Sequence, residues 1–131
     1  MAGTLFDAID RRAAASAGRP AIVSERGIIT FGDLRRNVRA LAALLAGRGV
    51  RPGDRVGLML RNSPEFVIAY LATLAAGAIV VPLNDRYTQQ EVHGFVETCG
   101  VSLLITEESA LAGLAILDEA ILATSQAHGL R

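Results

Sequence analysis

The sequence predicts an α/β fold, a parallel β-α-β-α-β sheet flanked by helices and preceded by an N-terminal helix and a small edge hairpin. Three β-prone segments alternate with segments that carry helix caps, and this alternation is typical of parallel sheets with right-handed crossovers. The 131 residues, of which 51% are hydrophobic, suffice for a single domain, 1–131, with its own core.

The chain opens with a helix and a hairpin. Thr4 and Asp7 have the spacing of a capping box, and Gly18 ends the predicted helix. The β-prone runs Ala21–Ser24 and Ile28–Thr30 enclose a three-residue loop that contains glycine, which indicates a β-hairpin. We expect this hairpin to lie at the edge of the fold.

A second helix is predicted from Thr30 to Gly47, because its apolar residues recur on one stripe. These residues are Leu34, Val38, Leu41 and Leu45. Pro52 and Gly53 then match the central positions of a type II turn, after which Arg55–Leu60 are predicted to form the first strand of the sheet.

The next helix and strand follow the same pattern. Ser63 is a predicted N-cap, its helix runs to about Ala76, and Ala78–Leu83 form the second strand. Thr88 begins another capping box and opens a helix. The side chains of that helix expected to face inward are Val92, Phe95 and Val96.

The last predicted strand of the sheet is Val101–Thr106, which follows Gly100. The remaining residues, 107–131, are rich in alanine and leucine. Asp118 is a candidate cap for a short helix that ends near Gly129.

Composition excludes several classes of function. Basic and acidic residues balance at 13 each, which argues against a nucleic-acid partner, and every basic residue is arginine. The absence of lysine excludes a phosphate-loop lysine or a Schiff base in this chain. Cys99 is the only cysteine, so no internal disulfide forms, and we expect a cytoplasmic location.

The uncharged run Phe66–Leu83 has nearly the length of a transmembrane helix. Gly77 and Pro82 interrupt it, and β-branched residues follow Gly77. We therefore predict a helix and a strand here, and no membrane span.

Loops after the predicted strands are the candidate site, because ligands of open α/β sheets bind at the carboxyl ends of strands. These loops are Arg61–Ser63, Asn84–Tyr87 and Thr106–Glu108. Asn84, Asp85 and Arg86 precede a helix start and suit an anion or amide, although ordinary turn chemistry also explains them.

Other chemically capable residues have structural explanations. Ser63 has a capping position and no neighbouring base, so it is not predicted to be a nucleophile. His93 and His128 have no partner at metal-ligand spacing, and no cationic residue adjoins Cys99 in the sequence to activate its thiol. The sequence thus predicts neither a catalytic residue nor a metal site.

Three consecutive segments together resemble the N-terminal part of the adenylate-forming (AMP-binding) acyl-CoA synthetase and ligase superfamily. They are Ile29–Leu34, Val50–Val56, and Asn62–Phe66 through Gly77–Asn84. The resemblance implies a parent enzyme of fatty-acid or related metabolism that converts a carboxylic acid to an acyl-adenylate and then to an acyl-CoA. It implies ATP, Mg²⁺ and coenzyme A as cofactors of that parent.

In this superfamily the phosphate loop, the adenylate contacts and the catalytic lysine come later in the chain. The resemblance therefore implies that 1–131 is an incomplete portion of a larger domain, inactive alone, and binds none of the cofactors tightly. Its implied partner is the remainder of the ligase polypeptide, and its apolar surface suggests a homo-oligomer. Asn84, Asp85, Arg86 and Tyr87 resemble a region that borders the thioester-transfer tunnel in some relatives.

Two other interpretations stay open at this point. One is a stand-alone binding or scaffolding module that kept the fold without the chemistry. The other is an unrelated flavodoxin-like binder that holds a phosphate ligand at the strand-end loops.

Overall fold

The computed structural model describes residues 4–107 and 120–122. Its elements in chain order are α1 Leu5–Ser16, β1 Pro20–Ser24, β2 Gly27–Thr30, α2 Phe31–Gly47, β3 Arg55–Met59, α3 Pro64–Ala75, β4 Ile79–Pro82, α4 Gln89–Cys99, β5 Val101–Thr106 and β6 Ala120–Leu122. The predicted order of elements is confirmed as far as β5, with boundaries that differ by one or two residues.

The central sheet is parallel, with strand order β4-β3-β5-β6. Residue Arg55 of β3 lies between Ile79 of β4 and Val101 of β5. This arrangement confirms the predicted α/β fold. The hairpin β1-β2 also forms, but as a separate two-stranded antiparallel sheet that is not hydrogen-bonded to the parallel one.

The prediction of a short helix in the C-terminal segment is wrong for residues 120–122. They form β6, which pairs with β5 so that Ala120 lies opposite Leu104. A short run of Ala, Ile and Leu suits a helix or a buried strand equally, and pairing with β5 favours the strand here. Asp118 and Gly129, the predicted ends of the helix, lie outside the described residues.

The sheet has a hydrophobic core on each face, because successive residues of a strand point to opposite sides. On the first face, α1, α2, α3 and the hairpin cover side chains such as Val56, Leu58 and Ile105. The second core is smaller, and α4 packs there. Its buried members are Met59, Leu83, Val92 and Leu104.

Phe95 is a correction to the predicted inner face of α4. Its side chain is 39% exposed, whereas Val92 is fully buried. The ring of Phe95 stacks on Tyr87 instead, with centroids 4.9 Å apart and planes 15° from parallel. The stack occurs because Tyr87 enters from the loop before α4 and offers an aromatic partner outside the sheet.

Helix caps and a turn form where the sequence predicts them. The Asp7 amide donates to Thr4 Oγ1 at 3.2 Å, and the Thr4 amide donates to Asp7 Oδ2 at 2.7 Å, which completes the capping box of α1. Before β3, the Asp54 amide donates to the Arg51 carbonyl, and Gly53 has φ +88°. A positive φ at that position is what a type II turn requires.

The uncharged run Phe66–Leu83 divides between α3 and β4, as predicted. Among the helices in the described ranges, none has both the length and the apolar content needed to cross a bilayer.

Candidate functional site

The strand order places a topological switch point between β3 and β5. The chain passes from β3 through α3 to β4 on one side, then through α4 to β5 on the other side of β3. In sheets of this kind, ligands bind outside the carboxyl ends of the two strands that flank the switch. The loop after β3 and the first residue after β5 therefore form the centre of the candidate site.

An ion pair joins these two strand ends. Glu107 follows β5, and its Oε1 accepts a hydrogen bond from the backbone amide of Arg61 at 2.9 Å. The Arg61 Nε donates to Glu107 Oε2 at 3.0 Å. Glu107 therefore holds both the backbone and the guanidinium of Arg61, with its own side chain only 21% exposed.

The loop after β3 is fixed from its other end by Ser63. The Ser63 hydroxyl donates to the Arg61 carbonyl at 2.9 Å and accepts from the Phe66 amide at 3.2 Å, as the N-cap of α3. Asn62 lies between these anchors and is exposed. The capping function predicted for Ser63 is confirmed, and its hydroxyl is engaged on both sides.

The second predicted loop, Asn84 to Tyr87, is a turn on the surface. Asn84 Oδ1 accepts from the Arg86 amide at 2.9 Å, and the Asn84 carbonyl accepts from the Tyr87 amide at 3.1 Å. The side chains of Asp85 and Arg86 are exposed, while Tyr87 is half-buried. The turn leads directly to the α4 N-cap Thr88, whose Oγ1 accepts from the Glu91 amide.

The residues of the third predicted loop, Thr106 to Glu108, have different structural roles. Thr106 is fully buried, and its hydroxyl donates to the Met59 carbonyl at 3.1 Å, so it is part of the scaffold. Glu107 forms the pair with Arg61, and Glu108 lies outside the described residues. The pair is the feature that sequence reasoning missed, although both partners belong to loops that it selected.

The described residues do not fit ATP and Mg²⁺ as a site of their own. The Arg61 Nε is bonded to Glu107, and the hydroxyls of Ser63 and Thr88 cap the helix starts that face this edge. In residues 4–107, no three His, Cys, Asp or Glu side chains come together in a group that could hold a metal ion. A triphosphate needs several free donors or cations at one place, and this part of the chain does not assemble them.

Comparison with known proteins agrees with this fold. Long-chain-fatty-acid–CoA ligase of Bacillus subtilis is 42% identical over 78 residues, which is 60% of this chain and 14% of that protein. A plipastatin synthase of the same species is 36% identical over 111 residues, which is 85% of this chain and 4% of that protein.

A solved structure is similar over most of the described fold. O-succinylbenzoate coenzyme A synthetase of Bacillus subtilis, in complex with ATP and magnesium ion, superposes with a TM-score of 0.80 at 28% identity. The match covers 88% of this chain and 32% of that one. The chain thus spans about a third or less of the length of each of these proteins.

The family model of AMP-binding enzymes matches residues 9–129. This range includes α2, α3, α4 and the whole parallel sheet. The chain belongs to the AMP-binding enzyme family, the adenylate-forming superfamily that its sequence segments resemble.

Proposed function

We propose that the polypeptide to which this chain belongs is an ATP-dependent carboxylic acid–CoA ligase. It joins the acid to AMP with release of pyrophosphate, and then transfers the acyl group from AMP to the thiol of coenzyme A. The residues described here serve as a scaffold in that enzyme, and the catalytic residues lie elsewhere in the polypeptide. The enzyme acts in the cytoplasm.

One observation carries the choice of a CoA ligase. The superposition on O-succinylbenzoate coenzyme A synthetase reaches a TM-score of 0.80 over 88% of this chain. The 42% identity to a long-chain-fatty-acid–CoA ligase supports the same choice. Both proteins are named for the transfer of an acid to coenzyme A.

A second candidate is an adenylation unit of a peptide synthetase. It is favoured by the 36% identity to a plipastatin synthase, which extends over 85% of this chain and so covers more of it than the ligase match does. This candidate shares the adenylate-forming step and differs in the acid and in the thiol that accepts it.

Within this proposal, the loop Asn84 to Tyr87 borders the path of the thioester-forming thiol. The exposed side chains of Asp85 and Arg86 and the Tyr87–Phe95 stack support a contact surface there. Remaining parts of the ligase polypeptide are the proposed partner of this surface. A homo-oligomer through exposed apolar side chains stays a prediction.

The test uses the full polypeptide that contains this chain. Exchange of labelled pyrophosphate into ATP is measured with fatty, aryl and amino acids, and the acyl acceptor is then either coenzyme A or a carrier-protein thiol. We expect exchange with a fatty or aryl acid and formation of its CoA thioester. Exchange with amino acids and acylation of the carrier thiol alone would instead establish the peptide-synthetase alternative.

The same assay on the 131-residue chain tests the scaffold role. We expect no exchange above the background without protein, for any acid. Acid-dependent exchange by this chain would contradict the scaffold role and would leave the choice of acceptor to be decided by the thioester measurement.

A further inference from the structure

The turn of the β1-β2 hairpin is tied to the start of α3 by an ion pair. Arg26 lies in this turn, and its guanidinium donates to the carboxylate of Glu65, 39 positions later in the chain. The Arg26 side chain is 57% exposed, whereas the Glu65 side chain is only 13% exposed. The hairpin thus supplies the cation for a carboxylate that is largely withdrawn from water, and such a carboxylate is costly to leave without a partner.

Glu65 lies beside the loop that follows β3. It is the second residue of α3 and comes two positions after the N-cap Ser63. Burial raises the pKa of the Glu65 carboxyl group, and the Arg26 guanidinium and the Ser63 hydroxyl are among the groups that bring it below its ordinary value. The Glu65 carboxylate therefore lies close to both the hairpin arginine and the cap of α3.

The Ser63 hydroxyl carries the connection onward to the strand end. It donates to the Arg61 carbonyl and accepts from the Phe66 amide, which fixes the loop to the first turn of α3. At the other end of the loop, the Arg61 amide donates to Glu107, directly after β5. A continuous series of polar contacts thus runs from the hairpin turn to the switch point of the sheet.

The Arg26 contact is what joins the hairpin turn to this series. The hairpin is a two-stranded sheet of its own, and its strands share no hydrogen bonds with the parallel sheet. Its base is closed separately, since the Phe31 amide donates to the Arg19 carbonyl at 2.9 Å. Loss of the Arg26 contact would therefore free the turn and leave the Glu65 carboxylate without its cation beside the Ser63 cap.

We propose that the β1-β2 hairpin is a latch for the loop Arg61–Ser63 at the candidate site. Arg26 acts in it as a positioning residue, because its charge holds Glu65 beside the Ser63 cap. Since the Arg26 side chain is more than half exposed, an acidic group that captures it would open the latch and loosen the loop. The latch does not depend on which acid the polypeptide activates, because all of its members lie within the described residues.

The experiment follows hydrogen exchange of the Arg61 backbone amide by NMR in the 131-residue chain. This amide is bonded to Glu107 in the folded loop, so its protection reports whether the loop is held. We expect Arg26→Gln to accelerate its exchange by at least about fivefold, the lower end of typical coupling between sites. The amide of Leu41, in the buried stripe of α2, should exchange at the wild-type rate.

Two matched variants separate the latch from a general effect of charge. Arg19→Gln makes the same change at the base of the hairpin, where the side chain is exposed, and should leave the exchange of the Arg61 amide unchanged. Arg26→Lys keeps the positive charge opposite Glu65 and should restore most of the protection that Arg26→Gln removes.

Several results would overturn the latch. An Arg61 amide that is unprotected in the wild type, or equally protected in Arg26→Gln, would show that the hairpin does not hold the loop. Equal acceleration at Arg61 and Leu41 would show a general loss of stability in place of a local effect. Loosening of the same size in Arg19→Gln or in Arg26→Lys would show that the ion pair is not the link.

Discussion

At the residue scale, the surroundings of the Glu65 carboxyl group shift its pKa. Burial raises the pKa of the Glu65 carboxyl group. The hydrogen bond and positive charge of the Arg26 guanidinium, together with a hydrogen bond from the Glu65 backbone amide, lower the pKa by more, so that it lies below the ordinary value for glutamate. A carboxyl group whose folded pKa is depressed stabilises the fold above its unfolded pKa of about 4.3, and this contribution is lost as the pH falls through the folded pKa.

Replacement of Glu65 by glutamine should lower the free energy of unfolding near pH 7 by about 0.5 to 1 kcal/mol, a small value because Arg26 is more than half exposed. The difference from wild type should shrink towards zero at about pH 3. Urea unfolding at both pH values measures it. Glu25→Gln, on an exposed turn residue, is the control and should have little effect at either pH. An equal loss at both pH values for Glu65→Gln would exclude an effect through ionisation.

Two glycines should respond to alanine with opposite signs. Gly77 has φ +78°, and an added Cβ would lie 3.2 Å from the Pro52 Cβ, so Gly77→Ala should cost about 1 kcal/mol or more. Gly94 lies in α4 with open space around it, so Gly94→Ala should stabilise by about 0.5 to 1 kcal/mol. Chemical denaturation of both variants gives the comparison. Destabilisation by Gly94→Ala would show that α4 is constrained in a way that its surroundings do not indicate.

At the scale of elements, α4 depends on few contacts. Val92 is its one fully buried side chain, in the core with Met59, Leu83 and Leu104. Val92→Ala should therefore cost about 2 kcal/mol and release α4 before the other helices. Hydrogen exchange should accelerate in the α4 amides and change little in α2 and α3. Uniform acceleration in all helices would mean that α4 unfolds only with the whole domain.

Elements that are specified locally could be predicted from the sequence. The caps at Thr4, Ser63 and Thr88 and the stripe of α2 depend on residues three or four positions apart, and each lies where it was expected. The failures have non-local causes. Phe95 turned outward because Tyr87 stacks on it, and 120–122 became a strand because the edge of β5 pairs with it.

The candidate site could be predicted only as a set of loops. Arg61 and Glu107 are 46 positions apart, and no local pattern indicates that their side chains meet. Strand order brings them together, because β5 lies beside β3 although β4 comes between them in the sequence. The contact between Arg61 and Glu107 is thus set by the strand order and not by the local sequence. The role of Asn84 to Tyr87 beside a tunnel stays a prediction.

At the scale of the whole molecule, the two faces of the sheet differ in how far helices cover them. Three helices and the hairpin pack on the first face, whereas among the described elements α4 alone packs on the second. The chain spans 32% of the O-succinylbenzoate coenzyme A synthetase chain that it matches. These two observations agree with the proposal that further parts of a ligase complete the domain.

The same proposal predicts how the whole chain responds to ATP. A ligand that binds only the folded state at 100 times its dissociation constant stabilises by about 2.7 kcal/mol, which raises the melting temperature of a domain of this size by roughly 10 °C. Because the described residues assemble no triphosphate site, we expect millimolar ATP with Mg²⁺ to shift the melting temperature by less than about 1 °C. Differential scanning calorimetry with and without ATP measures the shift, with the same concentration of inorganic phosphate and Mg²⁺ as the control. A shift of several degrees that is specific to ATP would place a nucleotide site within these 131 residues. Such a shift would contradict the scaffold role, because ATP can stabilise the folded chain only by binding to it.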